Sequence, residues 1–418
     1  MKKVALFLAL AAGFLLLNRA AYQGYFQDDE LDNIGWTQFG PAVEYLKGVV
    51  TPQFFVNNFR PVGHFYFREA ALHFGLAFPK YVAVLHAVHL LNVWLLWMLL
   101  RRLGAREFAA GAACVVFGLH MALFDAFWKP AYVFDVLCGT FCLLSLVCWV
   151  ERRWVLSFIA FWLAYKAKEV AVVLPAVLAL YEFWMGKRQW KALVPFFAAS
   201  ISFGTQAFWM SPHGDDDYTF RFTGAALART VTFYGSRILL APYAAVLLPV
   251  AAWRNRRAWF GLAVMGILFL PMMFLPGRMD GAYCYVPFIG LGIALSGIFE
   301  NWPRAVVLAA LLLWAPLDIH ALRVQRNVTL ARDKAAKAWV TTLAAYGAAH
   351  PTAEAFVFDG GPEGFARWGM EGAVKFIFHR LDPRLSAASE PVAASDVTLL
   401  RWDVTNHRLD ITARSASN

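Results

Sequence analysis

Side chains able to do chemistry gather in four short stretches of the chain. The first, FQDDELDNIGW at residues 26–36, places Asp28, Asp29, Glu30 and Asp32 just after an apolar run. Clustered carboxylates can act as a general base or as hard oxygen ligands for Mg2+ or Mn2+. Crowding beside lipid raises a carboxyl pKa, which suits a base. The plainer reading is a solvated acidic loop, and Asp32 is read as an ordinary loop acid. The second stretch, NNFRPVGHFYFRE, sets Arg60, His64 and Arg68 among aromatic rings. A guanidinium fork matches phosphate oxygens, although arginine beside Phe and Tyr also snorkels at a membrane interface. The third, YKAKEVAVVLP, puts Lys166, Lys168 and Glu169 between two apolar runs. Ionisable groups at such depth are costly and usually functional, with an ordinary turn as the alternative. The fourth, PGRMDGAYCYVPFIG, sets Arg278 ahead of Tyr283 and Tyr285. It reads as an aromatic belt or as an anion-binding group.

Other polar residues carry weaker signals. His64, His73, His86 and His89 lack a known ligand spacing. They are read as hydrogen-bonded structure, so no metal site is assigned to them. Asp215, Asp216 and Asp217 read as a solvated loop. The chain has no G-x-G-x-x-G after a strand and no phosphate loop, so nucleotide chemistry has no sequence support.

The elements that must position these groups are mostly membrane spans. The chain has 418 residues, 60% of them hydrophobic and 16% charged, with 17 Trp and 37 Phe; mean hydropathy is +0.51. Soluble domains carry roughly a quarter charged residues. The expected class is an all-α polytopic membrane protein. Net charge is +10, but the basic residues cluster in short loops between apolar runs. That pattern speaks for membrane orientation and against a nucleic-acid partner. The five cysteines lie in or beside apolar runs and read as packing residues.

The first run, 4–17, follows Lys2 and Lys3. Asn18-Arg19-Ala20 is a poor cleavage site, so the run reads as a signal anchor. Further runs lie near 79–100, 107–124, 131–150, 154–166, 170–185, 192–210, 232–252, 258–275, 283–299 and 304–320, giving about 11 spans. With the N-terminus inside, every inside loop is basic: RRLGAR, ERRW, GKRQWK, WRNRR and ENWPR. The outside loops are mixed or acidic, and the acidic stretch falls among them. Residues 1–321 are therefore read as a multi-span domain with a long first outer loop at 21–78. Residues 322–418 are read as a small outer-side α/β domain without a catalytic motif. There AFVFDG, VTLLRWDV and HRLDITAR look like strands, and GFARWGMEGAVKFIFHRL looks like a helix.

Taken in order, these parts resemble the type C (GT-C) glycosyltransferases, polytopic enzymes that take sugar from a polyprenyl-phosphate carrier. The likeness covers roughly residues 1–320 and is nearest to protein O-mannosyltransferases, including those with a lumenal TPR tail. It rests on the acidic pair after the first span and on FRPVGHFYF, KAKEVAVVLP and GRMDGAYCYVPFIGLG. In FPKYVAVLHAVHLLNVWLL it rests on Pro79, Tyr81, His89 and Asn92. The tail lacks a TPR pattern. The resemblance implies inverting hexosyl transfer to a hydroxyl of a protein, glycan or lipid on the outer face of a bacterial inner membrane. Asp28 or Asp29 would be the base, with Glu30 assisting it or binding a metal. Arg60, Arg68, Lys168 and Arg278 would hold the donor phosphate, supported by Glu169, His64, His89, Asn92, Tyr283 and Tyr285. A metal-assisted transferase, a lipid-linked sugar flippase and a catalytically silent scaffold are the competing expectations.

Overall fold

The computed structural model describes residues 2–53, 60–210, 215–390 and 396–415. The parts of the second stretch and of the Asp215 loop at 54–59 and 211–214 lie outside the described residues. Apolar α1 (Lys2–Leu17) leads into the acidic helix α2 (Asp28–Thr37). Gln27 and Glu30 close a capping box at the start of α2, and its three first-turn acids complement the helix dipole. Asp32 is therefore a helical residue; the loop reading is corrected. Then come α3 (Ala42–Val50) and α4 (Pro61–Phe74), the latter opened by Pro61 with Arg60 as its N-cap.

The bundle continues through α5 (Phe78–Arg102), α6 (Glu107–Leu119), α7 (Phe124–Trp128), α8 (Val133–Val150), α9 (Trp154–Ala167), α10 (Leu174–Trp184) and α11 (Trp190–Met210). It closes with α12 (Gly224–Ile238), α13 (Leu247–Ala251), α14 (Arg256–Phe269), α15 (Phe288–Asn301) and α16 (Arg304–Ala349). Helices α14 and α15 cross so closely that a Cβ on Gly261 would lie 2.2 Å from the backbone nitrogen of Ala294. Small residues allow such approach between apolar helices.

Among the described residues, five helical stretches are long and apolar enough to cross a membrane: Phe78–Arg102, Glu107–Trp128, Pro130–Val150, Trp190–Trp209 and Arg304–Ala349. Val4–Leu17, Trp154–Ala167 and Phe288–Asn301 are shorter apolar helices. Several sequence runs are broken rather than continuous. Run 170–185 splits into a 3-10 turn, Glu169–Val173, and α10 with Pro175 in its first turn. Run 232–252 breaks around Pro242, where Leu240 and Tyr243 take positive φ. Run 258–275 ends in a 3-10 turn containing Pro271. Proline removes an amide donor and cannot continue an α-helix unperturbed.

The 46-residue α16 runs unbroken past residue 321, about 69 Å of helix at 1.5 Å per residue. Beyond it, β1 (Ala355–Asp359), α17 (Arg367–Ile377), β2 (Arg384–Ala387), β3 (Asp396–Asp403) and β4 (Arg408–Ser415) form a four-stranded sheet unit ordered β2-β1-β3-β4. Strand β1 pairs in parallel with β2 and β3, and β4 is antiparallel to β3. The three strands and the helix read in the sequence are present; β2 was not anticipated. Helix α17 packs directly on α2.

Candidate active site

The acids of α2 are separated by burial and by their partners. Glu30 is 3% exposed. Its carboxylate accepts from the backbone amides of Gln27 at 3.1 Å and Ala131 at 3.2 Å. Burial pushes its pKa up to about 7. Asp28 is half-buried; its Oδ1 accepts from the Ala366 amide at 2.6 Å, and Arg332 stands 3.9 Å from its Oδ2. Burial also raises its pKa. Asp29 is exposed, and its Oδ1 accepts from the indole N–H of Trp368 at 3.1 Å. The three carboxylates thus turn to three different sets of donors, an arrangement that does not converge on one cation. Among the described residues no group of three potential ligands gathers for a metal.

Asp32 faces α17, and burial pushes its pKa up to about 6. Asp333 of α16 accepts from the Tyr25 amide at 3.0 Å and from the Gln27 side chain.

The candidate phosphate ligands lie in unequal surroundings. Helix α9 stops at Ala167 because Lys168 is extended (φ −159°, ψ 145°). This break places Lys168 at the extended junction and Glu169 at the start of the 3-10 turn between two apolar helices. Lys168 Nζ lies 2.6 Å from both carboxylate oxygens of Asp135 and 4.3 Å from the centre of the Tyr283 ring. Arg60 grips Glu169 with Nε at 2.9 Å and Nη2 at 2.6 Å. Arg278 instead lies over the Tyr218 ring at 4.4 Å, and among the described residues it has no carboxylate within salt-bridge distance. Its electrostatic neighbours are Tyr283, Tyr218 and Asp29. Asp29, Arg278, Tyr218, Tyr283, Lys168 and Arg60 therefore share one polar neighbourhood. Arg68 is elsewhere, donating to the carbonyl of Gly40 at 2.7 Å and pairing with Glu69.

The remaining sequence candidates are buried within the bundle. His64 packs edge-on against Trp36 and Phe134, and burial pushes its pKa down to about 3. His89, Asn92 and Tyr285 are fully buried. His89 Nε2 donates to the carbonyl of Gly118 at 3.1 Å, which leaves Nδ1 to accept from the Tyr285 hydroxyl at 2.8 Å. Asn92 donates to that hydroxyl at 3.0 Å and to the carbonyl of Val136 at 2.9 Å. The trio ties α5 to α6, to α8 and to the turn before α15. His86 bonds Tyr22 and the carbonyl of Phe127, so its nitrogens are occupied as expected for a structural histidine.

No family pattern matches the chain, and no curated protein matches it in sequence. Solved structures match it in fold. ArnT from Cupriavidus metallidurans bound to undecaprenyl phosphate aligns with a TM-score of 0.60 at 14% identity, covering 100% of this chain and 98% of that one. Apo ArnT aligns with a TM-score of 0.57 at 13% identity, covering 99% and 98%. The arabinofuranosyltransferase AftD from mycobacteria aligns with a TM-score of 0.50 at 15% identity. That match covers 85% of this chain, which spans 29% of the length of AftD.

The chain has the GT-C fold. It is an integral membrane protein, with apolar helices in the long GT-C bundle and the sheet unit at the far end of α16.

Two parts of this candidate site escaped the sequence reading. Asp135, 2% exposed, is the partner of Lys168. Its signal was present, as a lone carboxylate inside the apolar run VFDVLCGT, and an ionisable residue within a span marks a functional position by default. Arg332, Ala366 and Trp368, which meet the acids from the C-terminal unit, carry no local signal.

Proposed function

We propose that this GT-C protein transfers a sugar from a polyprenyl-phosphate carrier to a hydroxyl of a protein, glycan or lipid. The observation that carries the reading is the exposed carboxylate of Asp29 within electrostatic reach of Arg278, a cation with no carboxylate in salt-bridge distance among the described residues. The binding of undecaprenyl phosphate by ArnT, a protein of the same fold, supports a lipid-phosphate donor.

Asp29 takes the proton from the acceptor O–H. The acceptor oxygen bonds to the anomeric carbon from the face opposite the phosphate. The bond from that carbon to the phosphate oxygen breaks, and its electron pair leaves with polyprenyl phosphate, so the anomeric centre inverts. Arg278 meets the charge that develops on the leaving phosphate. Arg60 and Lys168, each already neutralised by a carboxylate, shape the phosphate site and hold Tyr283 beside Arg278. Asp28 and Glu30 serve as structural acids that fix α2. On the O-mannosyltransferase likeness the sugar is a hexosyl unit. The positive-inside pattern of the loops supports a cytoplasmic N-terminus, in a membrane read as the bacterial inner membrane. The site and the C-terminal unit then face the periplasm, at the inner membrane.

The test is mass spectrometry of envelope glycoconjugates from cells with and without the protein. One product that loses a single sugar mass in its absence supports the reading. Unchanged products together with altered sidedness of the lipid-linked sugar would replace it with a flippase.

A further inference from the structure

The C-terminal sheet unit does more than cap the bundle. Its helix α17 lies against α2 with almost no space between backbones. A Cβ on Gly372 would lie 2.4 Å from the carbonyl oxygen of Leu31, and one on Gly369 would lie 2.7 Å from Cα of Asp28. This contact brings the first turn of α17 onto the first turn of α2. The Ala366 amide then meets Asp28, and the Trp368 indole N–H meets Asp29 Oδ1 at 3.1 Å. Arg332 braces the junction by donating to the carbonyl of Gly364 at 2.6 Å while facing Asp28.

Trp368 is 53% exposed. A half-exposed indole on a surface helix has no packing reason to be held in one orientation. Here its single polar atom is spent on the one exposed acid of the cluster. A carboxylate has two oxygens, and among the described residues Asp29 Oδ2 has no hydrogen-bond partner.

We propose that Trp368 is a positioning residue for the reaction: its indole N–H fixes the Asp29 carboxylate through Oδ1 and presents Oδ2 to the acceptor hydroxyl. This rests on the reading of Asp29 as the base. A base must lie within hydrogen-bond reach of the proton it removes, and misplacement by about 1 Å can cost on the order of a hundredfold in rate. A base on the first turn of a short helix gains that precision from a partner on a second, closely packed helix. The C-terminal unit would therefore be part of the catalytic apparatus, although it contains no catalytic residue of its own.

The test compares Trp368→Phe with Asp29→Asn in the full-length protein. Phe keeps a ring in place and removes only the N–H. Three quantities are read: the envelope product per amount of protein, the thermal midpoint in detergent, and binding of undecaprenyl phosphate. The proposal expects Asp29→Asn to abolish product and Trp368→Phe to lower it about tenfold, with midpoint and undecaprenyl-phosphate binding unchanged in both. Full product from Trp368→Phe, with none from Asp29→Asn, would overturn the role of Trp368 and leave the base assignment standing. Full product from Asp29→Asn would overturn the base assignment itself, and the role of Trp368 with it. Loss of stability or of undecaprenyl-phosphate binding in Trp368→Phe would reduce Trp368 to a packing residue and overturn the proposal.

Discussion

Lys168 points its ammonium between the two carboxylate oxygens of Asp135, 2.6 Å from each. Both side chains are buried, Lys168 9% and Asp135 2% exposed. Two charges taken out of water are stable only as a pair, and removing one partner of a buried pair typically costs about 3–5 kcal/mol. Asp135→Asn should therefore lower the thermal midpoint in detergent sharply and reduce the yield of folded protein. The double variant Asp135→Asn/Lys168→Met should recover most of the loss, because it leaves no stranded charge. A double variant no more stable than Asp135→Asn would show that the pair is not what stabilises this turn.

The Gly35–Gly372 contact gives a second prediction. A Cβ at Gly35 would lie 2.5 Å from the carbonyl oxygen of Gly372, and a backbone atom cannot swing aside as a side-chain end can. Gly35→Ala should force α2 and α17 apart at a cost of about 1–3 kcal/mol. It should also lower transfer, since Asp28 and Asp29 lose register with Ala366 and Trp368. The checks are the thermal midpoint and product yield. Wild-type values of both would mean that the two helices do not approach this closely.

The pH dependence of the same contact follows from Asp32. Burial lifts its pKa from an ordinary 3.8 to about 6. The folded protein then binds the proton more tightly than the unfolded chain does, and stability falls as pH rises from about 4 to 6. Above that window the folded state carries the full cost of a buried carboxylate. Asp32→Asn removes the titration, so its thermal midpoint relative to wild type should increase between pH 5 and pH 8. A constant offset across that range, or one that shrinks, would contradict the burial of this acid.

The charged groups of the site were legible in the sequence because they stand out in an apolar chain. Asp28, Asp29, Lys168, Glu169 and Arg278 are all visible in that way. Their pairings were not. Arg60 and Glu169 are 109 positions apart, and nothing local shows that the arginine read as a phosphate ligand is already neutralised. The change after run 304–320, where apolar residues give way to charged ones, reads in the sequence as a domain boundary. The backbone of α16 continues because helix-favouring Ala, Lys, Arg and Leu fill the following residues. Strand β2, the four residues Arg384–Ala387 at the sheet edge, is too short and too exposed for an alternating pattern to register. The docking of α17 on α2 depends on glycines whose role appears only when both backbones are in place.

A prediction about metal follows from the dispersal of the three α2 acids onto separate donors. Transfer should persist in excess EDTA at the rate seen without it. Loss of transfer on chelation, restored by Mg2+ or Mn2+, would require the acids to turn toward a shared ion.

The most direct test of the central claim is release of free polyprenyl phosphate from a labelled polyprenyl-phosphate sugar, using purified protein with and without an acceptor-containing membrane extract. Acceptor-dependent release by the wild-type protein is expected. Asp29→Asn should lose on the order of a hundredfold or more of it, while Asp32→Asn keeps it. Equal release by Asp29→Asn and wild type, or no release by the wild-type protein with any extract, would contradict the account.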